Sequence, residues 1–143
     1  MGSAYEKDFY AWANEQAALL RGGRVAEADI AHIAEEIESM GKTEKRELVA
    51  RLTVLLLHLL KWRHQPNLQG VSWRTTIKVQ RLDIADLLED NPSLKNQLPD
   101  ALARAYRKAI QEAERETGLP ETAFPATCPW SFEQATDAGF WPE

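Results

Sequence analysis

Leu48-Val49-Ala50-Arg51-Leu52-Thr53-Val54-Leu55-Leu56-Leu57-His58-Leu59-Leu60-Lys61-Trp62 is the stretch on which the fold turns. Leu48, Leu52, Leu55, Leu59 and Trp62 step by 4, 3, 4 and 3 residues, the spacing of a helical face packed in a bundle. Val54, Leu56, Leu57 and Leu60 widen that face until the helix is apolar nearly all round. It is therefore expected at the centre of an all-α fold. The run from Leu52 to Leu60 is about half of the ~20 residues needed to cross a bilayer, and Lys61 and Arg63 follow at once. No membrane role is expected.

Helices are predicted on both sides of this rod, making a compact bundle of about five. Ser3-Ala4-Tyr5-Glu6 reads as a capping box opening a first helix, with Phe9, Trp12, Ala13 and Leu20 recurring up to the Gly22-Gly23 break. Asp29 is the expected cap of a second helix carrying Ile30, Ile33, Ile37 and Met40, with Gly41 as its stop. Thr43 is read as the cap of the central helix. After Pro66 and Gly70, Ser72 is read as capping a fourth helix with Trp73, Ile77, Gln80, Ile84 and Leu87 or Leu88 facing inward. Asn91-Pro92 ends it. Ser93 then restarts a fifth that runs to Thr117, with Leu98, Leu102, Ala105, Tyr106, Ala109 and Ala113 inside and Gly118 at its end. Beyond Leu119, prolines alternate with Phe124, Trp130, Phe132, Phe140 and Trp141. Such a segment is expected to be ordered and packed on the bundle, with a short helix after Ser131. The whole, 1–143, reads as one helical domain with 119–143 as its tail.

Charge is segregated along the chain. Between Leu48 and Leu82 there are six Lys or Arg and no Asp or Glu, whereas the flanking stretches are acidic and the total is −5. An acidic total argues against general nucleic-acid affinity but leaves room for a local basic face. A single cysteine, Cys128, forms no internal disulfide and fits a reducing compartment, so the expected location is the cytoplasm. Met1 to Glu6 lacks the basic and apolar regions of a secretory signal, and Glu6 stands where an N-myristoylation pattern wants Ser or Thr.

Several local patterns occur in order: Tyr5-Glu6-Lys7-Asp8-Phe9-Tyr10-Ala11-Trp12; Asp29 with Glu35-Glu36-Ile37-Glu38-Ser39-Met40-Gly41; His58-Leu59-Leu60-Lys61-Trp62; Ser72-Trp73-Arg74-Thr75-Thr76-Ile77 with Gln80-Arg81; Asn91-Pro92-Ser93-Leu94; and Phe124-Pro125. Together they make the chain similar, over essentially its whole length, to the bacterial family known as domain of unknown function 29. The resemblance implies a compact helical bundle and brings no activity. The family's characteristic positions correspond to Glu36, His58, Lys61, Trp62, Trp73, Thr76, Gln80 and Arg81.

Three groups of residues carry possible chemistry. Asp29, His32 and Glu36, at offsets 0, 3 and 7, share a helical face on which His58 from the central helix would complete a metal or acid–base set. The spacing lacks the paired Glu-x-x-His repeats of di-iron bundles and any His-Glu-x-x-His. His58 read alone is a histidine whose ring is satisfied by a carboxylate or a backbone carbonyl, with Glu36 the expected partner. As a general base it would need a nucleophile that no Ser or Cys in the chain supplies. Trp73, Arg74, Lys78 and Arg81, with Lys61, Arg63 and His64, form a cationic–aromatic face suited to phosphates or bases. The plainer reading has these cations neutralising Glu35, Glu36, Glu38 and the acidic fifth helix, with Arg81–Glu36 as the expected ion pair.

The reading that asks for no undeclared chemistry is a non-enzymatic interaction or regulatory module, binding a protein partner or itself. A nucleic-acid or phosphate binder using Trp73, Arg74, Lys78 and Arg81 is the alternative, and a metal-dependent enzyme at Glu36 and His58 a second. The candidate cluster is Glu36, His58, Lys61, Trp73, Arg74, Gln80 and Arg81, with no cofactor specified.

Overall fold

The computed structural model describes residues 3–143, apart from the side chain of Ser3. The expectations for the extreme N-terminus, including the Ser3 half of the capping box, lie outside the described residues. Six α-helices are present among them: α1 Ser3–Lys7, α2 Phe9–Arg21, α3 Ile30–His64, α4 Val71–Asp90, α5 Leu98–Thr117 and α6 Phe132–Thr136. No strand occurs among the described residues, so the fold is all-α. No helix among them is long and apolar enough to cross a membrane.

The chain divides into two compact units, Met1–Thr43 and Glu44–Glu143, with the boundary inside α3. In the C-terminal unit the predicted seam is the core. Leu48, Leu52, Leu55 and Leu59 are fully enclosed and Trp62 nearly so, among Ile77, Ile84 and Leu88 of α4 and Ala101, Ala105, Ala109 and Ala113 of α5. The alanines of α5 let a helix lie close to its neighbours. Gly118 ends α5 in the left-handed conformation, with φ 75°, as its place after Thr117 predicted. The tail is ordered: Phe124, Trp130 and Ala135 are buried, and Ser131 caps α6 by accepting from the Gln134 amide at 3.0 Å.

Four helix boundaries differ from the sequence reading, each for a local reason. The first predicted helix is two, because Asp8 caps a new start at Phe9 by accepting from the Ala11 amide at 3.0 Å. The second and third are one helix of 35 residues, about 50 Å long. Gly41 is not among the glycines with positive φ, so it continues the helix at a cost of about 1 kcal/mol relative to alanine. Thr43 likewise caps nothing; its Oγ1 donates to the Ser39 carbonyl one turn back, at 3.1 Å. Gly70 rather than Ser72 precedes α4. Finally, Pro92–Gln97 forms a 3₁₀ turn and α5 begins at Leu98. Pro99 stands in the first turn of α5, where a missing amide hydrogen costs nothing.

Candidate functional site

Asp29 is the hub of the N-terminal unit. Its Oδ2 accepts from the indole Nε1 of Trp12 at 3.1 Å and from Nδ1 of His32 at 2.7 Å, and its Oδ1 from the His32 amide at 3.4 Å. That last contact is the capping role the sequence assigned to it. The Asp29 amide in turn donates to Oε1 of buried Gln16 at 2.7 Å, so Trp12 and Gln16, one turn apart on α2, grip the same residue. His32 stacks on the Tyr5 ring with centroids 3.9 Å apart, and the Tyr5 hydroxyl donates to Glu36. The face Asp29–His32–Glu36 is therefore assembled, and its partners are a tyrosine and a tryptophan. The hydrogen bond to Glu36 pushes the Tyr5 hydroxyl up to about 12. Hydrogen bonding to Asp29 raises the His32 pKa, and the same contact lowers that of Asp29. Among the described residues no group of three or more His, Cys, Asp or Glu is placed to hold a metal ion.

In the C-terminal unit His58 Nδ1 donates to the Val54 carbonyl at 2.8 Å, the i−4 contact open to a helical side chain. The expected Glu36 partner is thus corrected: a backbone carbonyl satisfies His58, and burial lowers its pKa. Lys61 is buried, paired with Glu116 at 2.9 Å and lying 4.7 Å over the Trp73 ring. Arg81 is only 6% exposed. The ion pair expected between it and Glu36 gives way to main-chain contacts: Nε donates to the Ala135 carbonyl at 2.9 Å and Nη2 to that of Phe140 at 2.7 Å. Its guanidinium also lies 5.3 Å from the Trp141 ring, which packs on Trp62 at 4.8 Å. Arg81 Nη1 and Gln80 Oε1 are enclosed without a partner among the described residues.

The cationic–aromatic face is therefore divided. Lys61 and Arg81 point into the protein, while Arg74, 5.8 Å over Trp62, and Lys78 stay exposed. Trp73 is half-buried beside the core, and Cys128 is held protonated by burial, its Sγ donating to the Trp130 carbonyl. Sequence reasoning missed two features. Gln16 carries no pattern beyond its i+4 step from Trp12. The other is an open groove of about 720 Å³ between the second half of α3 and α5, floored by Ala50, Val54 and Leu57 and rimmed by Arg107, Lys108 and Glu112. Its floor residues were legible as helix positions, but not as the lining of an open groove.

Comparison with known proteins adds the family and nothing finer. No curated protein and no solved structure matches the chain. The family model described as domain of unknown function DUF29 matches residues 4–141, nearly the whole chain. With the helical architecture and the ordered positions from Tyr5 to Phe124-Pro125, this protein belongs to the DUF29 family.

Proposed function

We propose that this protein is a non-enzymatic protein-interaction module whose N-terminal unit is the docking element. One observation supports the reading above all. Among the described residues of that unit Trp12 is the sole buried apolar side chain, while Tyr10, Ile37 and Met40 are 80%, 62% and 68% exposed. Phe9, Leu20, Val25 and Ile30 are exposed as well. Ordering a residue costs about 1–2 kcal/mol of backbone entropy, which one enclosed indole and the half-buried Tyr5, Leu19 and Ile33 do not offset over some forty residues. A partner that covers these side chains supplies the missing burial. The polar network around Asp29 holds the helices in register meanwhile, so the surface is presented already formed.

Photo-crosslinking in living cells tests this. A photoreactive residue at Ile37 or Tyr10 is expected to give a discrete protein adduct, and one at exposed Lys95 is not. Absence of an adduct at both positions, or the same labelling at Lys95, sinks the reading.

A further inference from the structure

The groove between α3 and α5 lies wholly within the C-terminal unit and is independent of the docking element just described. Its floor is formed by Ala50, Val54 and Leu57, at positions i, i+4 and i+7 of α3. That is the row of holes into which an approaching helix sets apolar side chains at the same spacing. The opening is about 720 Å³, and Thr53 and Gln111 complete its lining.

The rim gives the sign of the partner. Four basic side chains stand on α5, and two of them are neutralised within the chain: Arg104 by Asp100 at 2.9 Å and Arg115 by Glu112. The other two, Arg107 and Lys108, make no ion pair among the described residues, and both are exposed at the mouth of the groove. Glu112, the acid on the rim, is already engaged by Arg115. An apolar floor edged by two unpaired cations complements an amphipathic helix whose polar flank is acidic. We infer that the α3/α5 groove, through Ala50, Val54 and Leu57 below and Arg107 and Lys108 at its edge, is a docking site for an acidic amphipathic helix of another protein.

The charge of the chain makes the test discriminating. At a net −5 the protein attracts basic peptides non-specifically, so a preference for an acidic one must come from a local site. Two peptides of about 18 residues, some five turns, share one leucine face and carry either Glu or Lys on the polar face. Titrated against the full chain by calorimetry, the Leu/Glu peptide is expected to bind and the Leu/Lys peptide to bind at least about tenfold more weakly, a difference of about 1.4 kcal/mol. Arg107→Glu with Lys108→Glu is expected to weaken the Leu/Glu peptide by about tenfold or more. Ala50→Trp, which fills the floor and leaves both cations in place, is expected to do the same. Ala50, Arg107 and Lys108 are exposed, so these variants keep the fold, and circular dichroism checks it. Equal binding of both peptides, no binding of the Leu/Glu peptide, or an Ala50→Trp chain that binds as well as the parent overturns the inference. So does a dimer in sedimentation that Arg107→Glu with Lys108→Glu disperses, since a second copy would then be the occupant.

Discussion

In the C-terminal unit α3 offers Leu48, Leu52, Leu55 and Leu59, and all four are fully enclosed. In the N-terminal unit the same helix offers Ile30, Ile33, Ile37 and Met40 at comparable spacing, and all but the half-buried Ile33 are exposed. The helical period is as good in one half as in the other. What differs is the supply of partners: α4, α5 and the tail cover the leucines, whereas the N-terminal unit brings Trp12 and Gln16 to Asp29 and leaves the isoleucine stripe open. Hydrophobic periodicity thus measures a helix's capacity to bury a face, not whether the face is buried. The two halves also rest on different forces. One is held by apolar burial, the other by Asp29, whose carboxylate gathers an indole, an imidazole and one backbone amide.

The largest effect that should separate the halves is cavity formation. Leu55→Ala is expected to cost about 3 kcal/mol of global stability, the lost methyl groups plus a void in a closed core. Ile37→Ala, the same kind of truncation on an exposed position, is expected to stay within about 0.5 kcal/mol. Urea denaturation measures both, and comparable losses would erase the contrast.

A smaller effect tests whether the tail belongs to the core. Arg81→Leu removes the donors to the Ala135 and Phe140 carbonyls and the cation over Trp141. Leaving buried acceptors unpaired is expected to cost about 2 kcal/mol and to speed hydrogen exchange in α6 ahead of the rest of the unit. Loss of stability with unchanged exchange in α6 would mean that the tail is held by its aromatics alone.

The smallest effect is pH dependence, and its sign is opposite in the two halves. The raised His32 pKa means that the folded N-terminal unit holds this proton more tightly than the unfolded chain. Its contribution is full below the ordinary histidine value of about 6.5 and is lost as pH rises through the folded value. The lowered His58 pKa works the other way: the unfolded chain binds that proton more readily, so stability declines as pH falls below about 6.5. Exchange of the α1 and α2 amides should therefore quicken on the alkaline side of that window, after allowance for the intrinsic rate, and His32→Gln should remove the step. A step of the same sign in both units would contradict these assignments.

Much of this could be read from particular residues. The seam from Leu48 to Trp62, the cap at Asp29, the stop at Gly118 and the short helix after Ser131 hold, whereas the equally local caps expected at Thr43 and Ser72 do not. Gly41 was misread because glycine stops a helix only where the backbone turns left-handed, and nothing in its neighbours announces that choice. Asp29, His32 and Glu36 were placed on one face correctly, yet Tyr5, 31 residues before Glu36, was not anticipated as its partner. The Arg81 carbonyls lie 54 and 59 residues further along. A guanidinium donates to carboxylates and carbonyls alike, so its charge predicts that it will be satisfied without predicting by what.

The sequence by itself determined the helical class, the rod that becomes the core and the family, because these follow from periodicity and residue type, which are local and additive. Only the tertiary structure decided which cations are consumed and which remain. Lys61 and Arg81 are turned inward by burial among tryptophans and tail carbonyls, whereas Arg107 and Lys108 are left at the edge of an open groove. That division depends on which surfaces meet after folding, and a side chain's identity fixes its appetite for a partner but not the geometry that brings one within reach.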